Sequence, residues 1–74
     1  MVQNIRPLGW LVSVRTPQGA DLYVVGADDR FHAHTLAAEH CNAGQAHTVR
    51  VERALTEGEV DRYELLLGEC KRYY

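Results

Sequence analysis

Six side chains between residues 32 and 70 are of the types that bind transition metals. They are His32, His34, His40, Cys41, His47 and Cys70. The two cysteines stand 29 positions apart, far outside the C-x2–4-C spacing of structural zinc sites. On a helix, His32 and His34 point about 200° apart, while His34 and Cys41 share a face but lie about 10 Å apart along the axis. We therefore predict no metal site.

Cys41 directly follows His40, which invites comparison with a catalytic nucleophile and its base. Adjacent helical residues diverge by about 100°, so the two side chains cannot hydrogen-bond as such a pair requires. A buried structural thiol is the better interpretation of Cys41. Helix capping explains the carboxylates Asp28 and Asp29. Because the chain also lacks a phosphate-binding glycine loop, GxSxG and HExxH, we predict no catalytic residues and no cofactor.

The composition indicates one small globular domain. The chain has 74 residues and a mass of 8.4 kDa, and 46% of the residues are hydrophobic. We assign residues 1–74 to a single α+β domain, in which residues 1–8 form an N-terminal arm. No segment reaches the roughly 18 apolar residues of a membrane span, and the first residues do not resemble a signal peptide.

Charge and cysteine content restrict the partners and the compartment. The net charge of −2 and the pI of about 6.0 argue against strong binding to nucleic-acid phosphates, because dedicated binders carry a basic stripe and a high pI. Two cysteines do not make a disulfide framework, so we expect a reducing, cytoplasmic compartment. The arginine and alanine content suggests a bacterial origin.

The N-terminal third predicts a β-hairpin. Residues 9–16 and 20–26 have the composition of strands, and Pro17-Gln18-Gly19 between them suits a three-residue loop with a bulge at the glycine. A loop of that length sets Thr16 opposite Ala20.

This loop length fixes the predicted register. Val14 then faces Leu22 on a uniformly apolar side of the hairpin, which also carries Trp10, Val12 and Val24. On the other side Arg15 faces Asp21, as an exposed ion pair.

Asp28 and Asp29 predict the start of a helix that runs to about residues 42–44, where Asn-Ala-Gly suits a C-terminal stop. Its buried stripe comprises Ala33, Leu36, Ala37, His40 and Cys41. Phe31 falls opposite this stripe, and we expect it to fold back over the helix start.

A second helix is predicted from residue 57 onward. Thr56-Glu57-Gly58-Glu59 has the pattern of a capping box, and Leu55 and Val60 are placed to form the accompanying hydrophobic staple. The helix is expected to bury Val60, Tyr63, Leu66, Leu67 and Cys70.

The predicted fold is a ββαβα two-layer sandwich. Residues 47–54 form the third strand, in which Val49 and Val51 point inward. A right-handed crossover places the first strand in the centre of a three-stranded sheet, with the order 2-1-3. Both helices then pack on one face, which leaves the other face uncovered.

The uncovered face is the predicted interaction surface. Together with the outer side of the last helix, it comprises Leu11, Arg15, Tyr23, Val25, Arg50 and Leu65. Three occupants fit it: a protein partner, a single-stranded nucleic acid stacked on Tyr23 with arginines on its phosphates, or the N-terminal arm.

No family signature accompanies these elements. The chain is predicted to be a small non-catalytic protein-interaction module, acting as a subunit, adaptor or inhibitor. The alternative is a regulator that binds nucleic acid through the open sheet face. Because a 74-residue domain without disulfide or metal buries a modest fraction of its surface, we expect a symmetric homodimer through Leu11 or Leu65.

Overall fold

The computed structural model describes residues 8–41 and 47–73 as a four-stranded antiparallel sheet with two helices. The elements are β1 (Gly9–Thr16), β2 (Gly19–Gly26), α1 (Arg30–His40), β3 (Thr48–Ala54), α2 (Glu57–Arg62) and β4 (Cys70–Arg72). The strand order is β3-β1-β2-β4. The predicted α+β class and the central position of β1 are confirmed, whereas the prediction of three strands is wrong, because β4 adds a fourth beside β2.

The hairpin register differs from the prediction by one residue. A two-residue turn, Pro17-Gln18, joins the strands and sets Val14 opposite Asp21 rather than Leu22. Gly19 ends this turn with a φ of 146°, a conformation that glycine adopts without strain. The predicted three-residue loop is therefore wrong.

The predicted ion pair across the hairpin is also absent from this register. Arg15 lies opposite Ala20. The carboxylate of Asp21 instead accepts a hydrogen bond of 2.6 Å from Arg72 of β4.

The register prediction failed because it assumed that only one sheet face is buried. Beneath α1 lies a cluster containing Trp10, Val12, Tyr23, Val25, Ala33 and Ala37. The opposite face carries a second cluster, formed by Leu11, Val24, Leu55 and Leu65. Both faces of the sheet are apolar near the end of β2. A one-residue shift of the register therefore still places apolar side chains on each face, so the hydrophobic pattern cannot distinguish the two registers. The prediction that both helices share one face is wrong for the same reason.

The predicted cap of α1 is confirmed. Asp29 is the N-cap, and its carboxylate accepts a hydrogen bond of 2.7 Å from the backbone N–H of His32. Ala33 and Ala37 are fully buried, which allows α1 to approach the sheet closely. The predicted helix end at residues 42–44 and residues 1–7 of the N-terminal arm lie outside the described residues.

The predicted capping box of α2 is present, but the helix is short. Thr56 and Glu59 bind each other's backbone as expected, and the helix ends at Arg62. Glu64 then adopts a left-handed φ of 50°. The prediction of a helix reaching residue 70 is therefore wrong.

The leucines after α2 are buried and exposed in the reverse of the predicted pattern. Leu65 is buried, whereas Leu66 and Leu67 are 68% and 64% exposed. The helix ends here because the following residues form hydrogen bonds with the outer edge of β2. Gly26 accepts a hydrogen bond of 2.7 Å from Gly68 and donates one of 2.8 Å to Glu69, so the segment satisfies backbone groups that a longer helix would leave unpaired.

Neither helix of the described residues combines the length and the apolar character that crossing a membrane requires.

Candidate protein-interaction site

The structure does not bring the six residues of the predicted interaction surface together. Val25 is fully buried beneath α1. Leu11 and Leu65 are 9% and 7% exposed and pack in the cluster on the opposite face. A surface through Leu11 or Leu65, including the predicted dimer contact, would need side chains that the fold itself uses as core.

The other three residues are separated by the sheet. Arg15 and Arg50 are exposed on the face opposite α1. Tyr23 lies on the α1 face, where its ring contacts His40 edge-on at a centroid distance of 5.7 Å. A side-chain hydrogen bond with Cys41 raises the pKa of the Tyr23 hydroxyl. Tyr23 is thus not on the same face as the exposed arginines.

His32 and the two cysteines occupy local structural positions. His32 Nδ1 lies 3.3 Å from Asp28, and Cys41 is the partly buried C-cap of α1. Burial raises the pKa of the Cys70 thiol to about 11, because the thiolate is poorly solvated there. Within residues 8–41 and 47–73, no three histidine, cysteine, aspartate or glutamate side chains are grouped as a metal site requires.

The outer edge of β3 bounds a groove that the sequence did not predict. The groove has a volume of about 450 Å³. Its strand side consists of residues 49–52, and its helix side consists of Arg30, Phe31 and His34 at the start of α1. We call this feature the β3 edge groove. It arises because α1 crosses the sheet, starting beside β3 and ending over Tyr23 of β2.

Phe31 is the most exposed large apolar side chain of the groove, at 80%. The expectation that it folds back over the helix start is therefore wrong. The side of α1 that contacts the sheet carries Ala33 and Ala37, so Phe31 projects away from the core. Its position opposite the buried stripe was the sequence signal for this site.

The charges of the groove are only partly paired. Arg30 and Arg50 make no ion pair with any acidic side chain of the described residues. The carboxylate of Glu52 accepts a hydrogen bond of 2.6 Å from Ser13 Oγ of β1. Arg50 and Glu52 are both exposed, so each can reach a bound chain.

The backbone of β3 presents alternate polar groups to solvent. The Arg50 carbonyl oxygen lies 3.5 Å from Ser13 Oγ, so the polar groups of Arg50 point toward β1. By the alternation of an antiparallel ladder, those of Val49 and Val51 point outward. A register shift leaves Glu52 without a partner in β1, and pairing resumes at Arg53 and Ala54.

Comparisons with protein-family models, with curated proteins and with solved structures found no significant match to this chain. Its function is therefore inferred from its own contacts and charges.

Proposed function

We propose that this chain is a small non-catalytic protein-interaction module, acting as a subunit, adaptor or inhibitor, with the β3 edge groove as its binding site. The observation that carries the proposal is the outer edge of β3, a strand of seven residues that pairs on this side with no described strand. Such an edge presents unpaired N–H and C=O groups, and extended peptides bind to it by adding a strand.

The two edges of the sheet differ in their suitability for pairing. β4 has three residues and includes Lys71 and Arg72, and short charged strands resist further pairing. β3 is longer, and its valines at positions 49 and 51 favour a strand partner. This difference supports β3 as the binding edge.

The side chains beside β3 supply contacts for a bound strand. Phe31 offers a large exposed apolar surface, and aromatic side chains contribute strongly to protein interfaces. Arg30 adds positive charge on the helix side of the groove, and Arg50 adds it on the strand side, from the opposite face of the sheet. A single exposed phenylalanine is ordinary, but its position next to an unpaired edge supports a binding role.

The non-catalytic part of the proposal is supported by the structural roles of the carboxylates. Asp29 caps α1, Glu59 completes the capping box of α2, and Asp21 pairs with Arg72. We also propose a reducing, cytoplasmic setting, because Cys41 and Cys70 are both free thiols. The bacterial origin stays a prediction from composition.

The nucleic-acid alternative depended on Tyr23 sharing a face with the arginines. Tyr23 packs on the α1 side, whereas Arg15 and Arg50 are exposed on the opposite side. Base stacking requires an exposed aromatic ring near the phosphate-binding cations. The groove does place the exposed ring of Phe31 beside Arg30, but the net charge of −2 and the pI of about 6.0 argue against strong binding to nucleic-acid phosphates. We therefore do not favour this function.

Selection from a library of random displayed peptides tests the proposal. With the protein at nanomolar concentration, we expect enriched peptides whose affinity falls about ten-fold or more in the Phe31→Asp variant. Leu67→Asp is the matched control, because Leu67 is similarly exposed but does not line the groove. Failure to enrich any peptide, or equal loss in both variants, would contradict the proposal.

A further inference from the structure

The sequence of β3 is complementary to itself when the strand is reversed about Val51. In that arrangement Arg50 lies opposite Glu52 of a second copy, and Glu52 lies opposite Arg50 of the second copy. Directly opposed residues of a regular antiparallel pair have Cβ atoms about 4.5–5.5 Å apart, and side chains as long as arginine and glutamate also reach across the offset that the bulge at Glu52 introduces. The twofold operation makes this pair twice.

Both charged side chains are placed to make these contacts. Arg50 and Glu52 are exposed, and Arg50 has no ion pair within the described part of the chain. Glu52 lies on the same face as Arg50, since it accepts a hydrogen bond from Ser13, the β1 partner of Arg50. Only one of its carboxylate oxygens is used there, which leaves the other for a second copy.

The backbone has the matching orientation. The polar groups of Val51 point outward, as argued above from the 3.5 Å contact between Ser13 Oγ and the Arg50 carbonyl oxygen. A twofold axis at Val51 therefore lets the two Val51 residues exchange both N–H···O bonds. Valine is also among the residues that are enriched in strands.

We propose that the β3 edge binds a second copy of this chain, with the two β3 strands antiparallel about Val51 and joined by two Arg50–Glu52 ion pairs. This proposal rests on the proposed function and names its partner. The two β3 edge grooves then lie side by side. Because the bulge at Glu52 limits regular pairing to a few residues, this dimer is weaker than one formed by two long regular strands.

Charge reversal in sedimentation equilibrium tests the proposal. The wild type is expected to approach twice the 8.4 kDa monomer mass as its concentration rises from micromolar to near-millimolar. Arg50→Glu and Glu52→Arg each place like charges opposite one another twice, so each should weaken dimerisation about ten-fold or more. An equimolar mixture of the two variants should form a heterodimer, and the double variant should dimerise like the wild type.

Arg15→Glu is the matched control, because Arg15 is an exposed arginine of β1, away from the edge. It should dimerise like the wild type. Circular dichroism and urea midpoints show whether each variant is folded, and the double variant decides the outcome if a single variant unfolds.

Two results would overturn the second-copy proposal: a monomeric wild type at every concentration, or a dimer that neither single reversal weakens. If the wild type is monomeric but library peptides bind it and lose affinity in the Phe31→Asp variant, the proposed function stands and only the identity of the partner is wrong. If neither peptides nor a second copy bind, both proposals fail.

Discussion

A group of mutual polar contacts joins the side chains of Thr56, Glu59 and Arg53. Thr56 Oγ1 accepts a hydrogen bond from the Glu59 N–H, and the Glu59 carboxylate accepts one of 3.0 Å from the Thr56 N–H. Arg53 of β3 donates two bonds of 2.8 Å to the same carboxylate. At the scale of single residues, this group fixes the start of a helix of only six residues, which is too short to be stable by itself.

Thr56→Ala should lower the free energy of unfolding by about 0.5–2 kcal/mol, because the backbone N–H of Glu59 loses its acceptor. The measurement is the urea midpoint with the slope of the transition. Thr35→Ala is the matched control: Thr35 is exposed within α1, where its hydroxyl donates to the Phe31 carbonyl oxygen and alanine is favoured. Equal midpoints for wild type and Thr56→Ala would contradict the assigned role of the cap.

The pKa of Glu59 makes a second prediction at this scale. Hydrogen bonds from Arg53 and from the Thr56 N–H lower this pKa from 4.5 to about 2. A lowered pKa in the folded state means that the ionised carboxylate stabilises the fold above pH 4.5, and that this contribution is lost as the pH falls to about 2.

The difference in urea midpoint between wild type and Glu59→Gln should therefore shrink across this pH range. Glu57→Gln removes a negative charge from the same helical turn without these bonds and is the matched control. A difference that stays constant with pH would show that the carboxylate charge does not contribute.

Among the elements, the segment after α2 depends on the absence of a side chain at Gly26. A Cβ atom at Gly26 would overlap the carbonyl oxygen of Leu66 and lie 2.7 Å from its carbonyl carbon. These Leu66 atoms belong to the backbone, so they cannot move aside by a rotamer change as side-chain atoms can. The close approach allows Gly68 and Glu69 to bond with Gly26, which leads the chain into β4.

Gly26→Ala should destabilise the protein by about 1–3 kcal/mol or more, because the segment must move away from β2. Gly58→Ala is the contrasting variant. A Cβ there would meet only Thr56 Oγ1 at 3.9 Å, so alanine should stabilise α2 by up to about 1 kcal/mol. Urea denaturation measures both, and a neutral Gly26→Ala would show that the contact is not required.

The elements predicted correctly from the sequence are those that local residues determine. The cap at Asp29, the capping box at Thr56 and the strand at β1 each depend on neighbours within a few positions. The hairpin register and β4 depend on which sheet faces are covered and which edges are unpaired. Leu65 and Leu66 show the limit: a helical period assigns them to the wrong sides, because the outer edge of β2 competes for the same backbone.

The candidate site was harder to predict than the fold for a related reason. Phe31, Val49 and Arg50 come from two elements whose proximity follows from the direction in which α1 crosses the sheet. The spacing of residues along the sequence does not indicate the direction in which α1 crosses the sheet. The position of Phe31 opposite the helix stripe was the available signal, but the sequence was interpreted as placing Phe31 back over the helix start.

At the scale of the whole molecule, the short strand β4 and the residue that follows it connect both core clusters. Cys70 packs against the cluster beneath α1, and Tyr73 packs against the cluster on the opposite face. Tyr73 also donates a backbone hydrogen bond of 2.9 Å to Leu22. Removing β4 and Tyr73 would therefore expose part of both core clusters to solvent.

Ending the chain after Glu69 should abolish cooperative unfolding, because Val24 and Val25 would lose their cover along the edge of β2. Near-ultraviolet circular dichroism and urea denaturation measure the loss. Arg72→Gln is the control that removes the exposed ion pair with Asp21 while keeping the strand, and it should cost about 1 kcal/mol or less. A truncated chain that unfolds as cooperatively as the wild type would contradict this role for β4.

The unequal edges of the sheet also bear on how far assembly could proceed. A chain with two equally receptive ends adds further copies indefinitely and grows into a filament. In the dimer that we propose, the long edge at β3 receives the second copy, whereas the three-residue edge at β4 carries Lys71 and Arg72. Once two copies have joined through β3, both outer ends of the shared sheet are the short charged kind. Assembly of the proposed dimer therefore stops at two copies. A rise in protein concentration increases the fraction of chains in dimers and does not produce polymers.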